Sequence, residues 1–227
     1  MVATATRRFT LDEYHRLAAL GILHEDSHAE LIRGIIYNKF PPEGGDSRPY
    51  RFTREQYAQM VAAGILTEGH PGDGVEITDK ESDVAAMGTH HQTCIIRLTM
   101  LLATTLPPGF LLSPQNPVRL LTDGEPEPDF AVFYDRDYDD TPTQDDTLFI
   151  IEVADSTLHS DRRRKIPLYA EAGIPEVWLV DVNAKTLERY TEPHDGQYME
   201  KAKARVGESL ASTVVPGIVI PVADVLR

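Results

Sequence analysis

Two segments, Pro128-Asp-Phe-Ala-Val-Phe-Tyr134 and Thr147-Leu-Phe-Ile-Ile-Glu-Val-Ala-Asp155, each read as a β-strand that carries an acidic residue. Runs of branched and aromatic residues with polar ends are typical of buried strands. A carboxylate inside such a run costs free energy unless it is paired, hydrogen-bonded or bound to a metal ion. Asp129 and Glu152 are therefore the first candidates for functional residues.

A helix with a basic start, around Ser160 to Lys165, follows these strands and is closed by Gly173. Its Pro167 predicts either a bend or a regular helix that begins near the proline, where a missing N–H is harmless. The helix would cross over to a strand at 176–182. Further strands are predicted at 110–112, 118–121, 186–191 and within 214–222. The pattern predicts an α+β fold of α/β-like character, with a mixed central β-sheet flanked by helices.

The composition limits the class of protein. The 227-residue chain has one cysteine, Cys94, and a formal net charge of −14. It has no apolar run near the roughly 20 residues of a membrane span and no signal-peptide core at its start, which predicts a cytoplasmic protein without a membrane partner. The negative charge disfavours a broad nucleic-acid-binding surface. The basic run Arg162-Arg-Arg-Lys165 is compatible with a local nucleic-acid-binding patch.

The N-terminal third contains an internal duplication, in which residues 8–40 and 51–87 are related. Each copy opens with Arg-Phe-Thr and ends its predicted helix at Gly-Ile-Leu. The capping-box pairs are Thr10 with Glu13 and Thr53 with Gln56. The sequence predicts one nuclease-like domain, 1–227, with a helical and hairpin N-terminal part, 1–74, and a catalytic core, 88–227.

The two acids and the basic helix suit one kind of chemistry. Neighbouring strands lie about 4.8 Å apart, so Asp129 and Glu152 can converge on a divalent ion. Lys165 has Asp161 and Tyr169 four residues away on either side, on one helix face. Such a set suits phosphodiester hydrolysis. The alternatives are a turn-capping role for Asp129, a buried ion pair between Glu152 and Lys165, and an exposed Lys165.

Several motifs together point to a family. They are Phe-Thr-x-x-x-Tyr before Gly-Ile-Leu, Ala29-Glu-Leu-Ile-Arg-Gly34, Pro128-Asp129, Ile151-Glu-Val153, Lys165, and the segment from Tyr169 to Asp181. The chain resembles the Uma2 family of restriction-endonuclease-like proteins in the PD-(D/E)xK nuclease superfamily. The resemblance implies a restriction-endonuclease-like fold in which Asp129 and Glu152 bind Mg²⁺. The lysine that normally stands two residues after the second acid is replaced by Ala154, and Lys165 matches a position to which it has migrated.

The resemblance also implies an N-terminal glutamate and a histidine at the start of the next helix. His91 fits the histidine better than His90 does. Glu30 keeps the family motif, whereas Glu76 keeps the spacing to His91, and the insertion from Pro41 to Gly74 separates the two; Glu30 is preferred. The implied catalytic set is Asp129, Glu152, Lys165, Glu30 and His91, and the implied metal ligands are Asp129, Glu152 and Glu76.

The sequence therefore predicts a Mg²⁺-dependent endonuclease that acts on DNA, with Mn²⁺ as a possible substitute metal. Exposed apolar edges in a fold of this kind also predict a homodimer. The alternative is a non-enzymatic module that uses a nuclease fold for binding or assembly. The acidic balance of the chain and the absence of a recognisable DNA-reading helix favour that alternative.

Overall fold

The computed structural model describes residues 6–39, 47–66, 74–78, 88–121 and 123–227. The chain forms two compact units, residues 1–86 with 122–125 and residues 87–121 with 126–227. No helix among the described residues is long and apolar enough to cross a membrane. The single domain predicted from the sequence, with its parts 1–74 and 88–227, stays a prediction.

The described residues of the first unit form two α-helices and two pairs of short strands. Its elements are α1 Leu11–Ala19, β1 Ala29–Ile32, β2 Ile35–Asn38, β3 Arg51–Thr53, α2 Arg54–Ala62 and β4 Glu76–Thr78. Strands β1 and β2 form an antiparallel hairpin, and β3 pairs with β4 in parallel. The hairpin turns at Gly34, whose φ is +76° and whose absent side chain would meet the Phe9 carbonyl oxygen at 3.2 Å. The hairpin that the sequence predicts in the N-terminal part is confirmed.

The duplication is visible in the caps and in the core of this unit. Both predicted capping boxes form, at the starts of α1 and α2. A glycine with positive φ follows the C-cap residue of each helix, +68° at Gly21 and +69° at Gly64. The equivalent residues Leu17 and Met60 are fully buried. The two helical copies are therefore confirmed, while residues 40–46, 67–73 and 79–87 lie outside the described part of the chain.

The described elements of the second unit follow in chain order. They are α3 Thr89–Thr105, β5 Phe110–Pro114, β6 Phe130–Tyr134, β7 Thr147–Ala154, α4 Leu158–Ser160, the π-helix Asp161–Lys165, α5 Ile166–Glu171, β8 Glu176–Asp181, β9 Thr186–His194, β10 Gln197–Arg205, β11 Ser209–Ala211, β12 Val219–Pro221 and α6 Val222–Val225. Six of the strands form one sheet in the order β10-β9-β8-β7-β6-β5. Only β7 and β8 pair in parallel within it, on either side of the crossover helix. The predicted mixed sheet flanked by helices is confirmed.

One predicted strand is absent, and one observed strand was not predicted. Residues 118–121 form isolated bridges at Arg119 and Leu120 and no strand, because the amides of Val118 and Arg119 bond to carbonyls of Pro126 and Pro142 in separate segments. Strand β10 was missed, because its exposed positions are mostly charged and its buried position is only Ala204. The predicted C-terminal strand is shorter than 214–222 and pairs with β11.

Alternation along the strands separates the two faces of this sheet. Phe149, Ile151 and Val153 of β7 belong to the main core, together with buried residues of α3 and of the C-terminal segment. Glu152 therefore projects to the opposite face, where the π-helix and α5 lie. This face holds Glu152 and Lys165, two of the predicted site residues.

Candidate active site

The helix that carries Lys165 is irregular at the lysine. A short turn, α4, leads into the π-helix, and the regular helix α5 begins at Ile166 with Pro167 in its first turn. Of the two readings of Pro167, the one in which the regular helix begins near the proline is confirmed, because an N–H is not needed there. Single π turns are frequent at functional sites. Here the π turn ends at Lys165.

Two side chains of this helical segment contact Glu152. Nζ of Lys165 lies 3.3 Å from the Glu152 carboxylate, and the Tyr169 hydroxyl donates to Oε1 at 2.5 Å. Glu152 and Lys165 are only 3% and 4% exposed. The exposed Lys165 considered as an alternative is therefore wrong, and the buried ion pair with Glu152 is present. A dry pair of this kind strengthens electrostatic interactions with any ligand that reaches it.

Asp129 lies immediately before β6. Its neighbour Phe130 is opposite Ile151 in the antiparallel pairing, which places Asp129 beside the segment of β7 that runs from Ile151 to Val153. Oδ2 of Asp129 accepts a hydrogen bond from the Val153 N–H at 2.8 Å and one from Nε2 of His91 at 3.2 Å. The two acids thus lie on adjacent strands, and His91 of α3 contacts Asp129.

Two neighbouring residues further define this environment. Asp161 is buried and accepts a hydrogen bond from the Thr157 hydroxyl at 2.7 Å. Burial, and after it the negative charge of Asp129, raises the pKa of the Cys94 thiol to about 12. Because the thiolate is the nucleophilic form, Cys94 does not supply a nucleophile at neutral pH. It acts as a small buried hydrophobic residue.

The two candidate N-terminal glutamates belong to the first unit and differ in exposure. Glu30 lies in β1 opposite Tyr37 and is 1% exposed. Glu76 lies in β4, where its half-exposed carboxylate forms an ion pair with Arg51 at 2.9 Å. The roles predicted for Glu30 and Glu76 stay predictions.

The donor set can be tested against the metal that the sequence predicts. Among the described residues, no three His, Cys, Asp or Glu side chains converge into a ready-made metal cluster. Mg²⁺ usually binds through one or two carboxylates together with substrate phosphates and water. The carboxylates of Asp129 and Glu152 therefore fit Mg²⁺ by donor type, and substrate oxygens would complete the coordination.

Comparison with models of protein families identifies the family of this chain. The model of the family Uma2, described as "Putative restriction endonuclease", matches residues 54–223, about three quarters of the sequence. The chain belongs to the Uma2 family. The matched range includes Glu76, His91, Asp129, Glu152 and Lys165, and Glu30 precedes it.

A solved structure supports the fold of this Uma2 protein. It is a "putative nuclease belonging to DUF820" from Anabaena variabilis, with a TM-score of 0.50 and 13% sequence identity. The similarity covers 66% of this chain and 87% of the Anabaena chain. At this identity the likeness shows a shared fold. No curated protein matches the chain.

Proposed function

We propose that this Uma2 protein is a metal-dependent DNA endonuclease in which Asp129 and Glu152 hold Mg²⁺ and Lys165 assists the attacking water. Membership of the Uma2 family and the fold shared with the Anabaena nuclease support a nuclease-like function. One observation carries the proposal. Two acids on adjacent strands are buried with a lysine that reaches one of them, all inside the family match.

The chemistry divides between the ion and the side chains. Bound Mg²⁺ would polarise a phosphate and lower the pKa of a bound water. Lys165 would hold the water next to Glu152 and stabilise negative charge that develops on the phosphate. The Tyr169 hydroxyl orients Glu152, as the Val153 N–H and His91 orient Asp129. Tyr169 and His91 are thus positioning residues in this proposal.

The finer parts of the proposal rest on the family resemblance. The additional carboxylate is Glu30 or Glu76, of which Glu30 is the more buried and Glu76 the one inside the family match. The use of Mn²⁺, the homodimer and the cytoplasmic location stay predictions.

A second candidate function is a non-enzymatic binding module. It is favoured by the ion pair of Glu152 with Lys165, which compensates both charges without a metal ion. In that case the nuclease fold would serve only as a scaffold, and Mg²⁺ would not affect the protein.

Cleavage of supercoiled plasmid and of single-stranded DNA separates the two functions. The assay compares the parent protein with Asp129→Asn and Lys165→Met, in Mg²⁺ and in EDTA, below the melting temperature of each protein. Arg136→Gln is the control, since Arg136 follows the far end of β6 and pairs with Asp146. We expect cleavage by the parent and the control only in Mg²⁺, and rates lower by at least about 100-fold in both site variants.

The Asp129→Asn variant is included because it should remain folded. Asn keeps an oxygen that can accept the Val153 N–H, so Asp129→Asn is expected to melt close to the parent. A folded Asp129→Asn protein that cleaves as fast as the parent would contradict the proposal. A folded parent that cleaves neither DNA would favour the binding module.

A further inference from the structure

A second buried glutamate on the same face of the sheet gathers three basic side chains. Glu188 of β9 accepts from the Tyr190 hydroxyl at 2.6 Å. Its ion-pair partners are Arg162 at 2.9 Å, Lys201 at 2.9 Å and Lys203 at 3.1 Å. Arg162 comes from the π-helix, and both lysines come from β10. We name Arg162, Lys201 and Lys203 the basic cluster.

The exposure of the basic cluster differs from that of its glutamate. The Glu188 side chain is 2% exposed, whereas those of Arg162, Lys201 and Lys203 are 38%, 45% and 40% exposed. Three cations share one carboxylate, so the group carries an excess of two positive charges. The buried carboxylate holds the cations in place while their side chains remain partly accessible to solvent. This local excess is positive in a chain whose net charge is −14.

The sheet register connects the basic cluster to the candidate active site. Glu152 is opposite Leu179 of β8, Leu179 is opposite Glu188, and Glu188 is opposite Lys203. Glu152 and Glu188 are therefore two strand spacings apart, about 10 Å at roughly 4.8 Å each. The same π-helix sends Lys165 to Glu152 and Arg162 to Glu188.

We propose that the basic cluster binds the phosphate backbone of the DNA strand that enters the site at Asp129 and Glu152. This inference rests on the function proposed above and adds the surface that guides its substrate. Phosphates follow one another every 3.4 Å or so along the axis of one duplex strand, so a separation of about 10 Å spans roughly three nucleotides. Lysine and arginine contacts to phosphate supply most of the affinity for DNA irrespective of its sequence.

A purely structural role has its own physical basis. Lysines on an edge strand such as β10 discourage pairing with another sheet. In that case the basic cluster would contribute to stability alone, and its removal would leave DNA binding unchanged.

The test measures binding of a fluorescent DNA duplex by anisotropy in EDTA, where cleavage is prevented, over a series of salt concentrations. It compares the parent with Lys201→Gln/Lys203→Gln. The matched control is Arg119→Gln/Arg136→Gln, which removes two cations ion-paired to Asp140 and Asp146 instead. The parent is also assayed for cleavage in Mg²⁺.

Loss of two phosphate contacts should reduce the slope of log K against log salt by about 1.8, which corresponds to about 60-fold weaker binding at 0.1 M salt. The control should keep the slope of the parent. A lysine variant that behaves like the control while the parent cleaves DNA would overturn the role of the basic cluster and leave the proposed function intact. A parent that neither binds nor cleaves DNA would overturn both.

Discussion

Glu152 and Glu188 are two buried glutamates on one face of the same sheet, yet their surroundings differ. Glu152 is contacted by the buried Lys165 and by the hydroxyl of Tyr169. Glu188 has the hydroxyl of Tyr190 and three cations that are each more than a third exposed. One π-helix supplies a cation to each glutamate.

The arrangements around Glu152 and Glu188 suit two different functions. A lysine buried next to a carboxylate lies in a low-dielectric environment, where electrostatic interactions with a ligand that enters the same space are stronger than in water. Cations that share a buried carboxylate but reach the solvent are accessible to a partner on the surface. The first arrangement suits chemistry on a bound phosphate, and the second suits contact with a long polyanion.

The largest effect on stability should come from breaking the pair at Glu152. Lys165→Met leaves a buried carboxylate without its cation, and we expect a loss of about 3–5 kcal/mol in the free energy of unfolding. Lys201→Met removes one of three partly exposed cations and should cost at most about 1 kcal/mol. Urea unfolding at pH 7 measures both.

A second substitution checks the cause of that loss. Glu152→Gln/Lys165→Met removes both charges and should be more stable than Lys165→Met alone, since no uncompensated charge remains. Equal stability of Lys165→Met and Lys201→Met would show that burial does not distinguish the two glutamates.

A smaller effect is expected from pH at Glu188. Burial acts to raise the pKa of Glu188 above its usual 4.5, but hydrogen bonds from Tyr190 and the two lysines outweigh burial and lower the pKa to about 2. The stabilisation is therefore complete above pH 4.5 and is lost as the pH falls through about 2. It amounts to about 3 kcal/mol.

Glu188→Gln provides the comparison for this effect. The difference in unfolding free energy between the parent and Glu188→Gln should shrink when urea unfolding at pH 6 is repeated at pH 3 and again near pH 2. A difference that does not change over this range would mean that the basic cluster does not hold Glu188 ionised.

The sequence predicted the parts of the fold that depend on strong local patterns. The apolar runs of β6, β7 and β8, the two capping boxes and the turn at Gly34 each have one dominant structural reading. Strand β10 was missed because four of its residues, Glu200, Lys201, Lys203 and Arg205, are charged and only Ala204 is fully buried, so its apolar alternation is weak. Residues 118–121 look like a strand, but their hydrogen-bond partners lie in separate segments that the sequence does not connect.

The sequence predicted some features of the candidate site and missed others. Glu152 stood out because it is a charge within an apolar run, and the four-residue spacing of Lys165 and Tyr169 predicted that they share a helix face. The hydrogen bond from the Val153 N–H to Asp129 has no signal in the sequence, since any residue offers a backbone amide. Glu188 is also an acidic residue within a strand, where it follows Thr186 and Leu187. The polar neighbours Arg189 and Thr191 make it stand out less than Glu152 does.

The most direct test of the account measures the melting temperature against Mg²⁺ concentration for the parent, Glu152→Gln and Glu188→Gln. A ligand that binds the folded state at 100 times its Kd adds about 2.7 kcal/mol of stability. The account predicts a saturable, Mg²⁺-dependent rise in melting temperature for the parent and for Glu188→Gln, and none for Glu152→Gln. The absence of a rise in the parent, or an equal rise in Glu152→Gln, would contradict a metal site at Asp129 and Glu152.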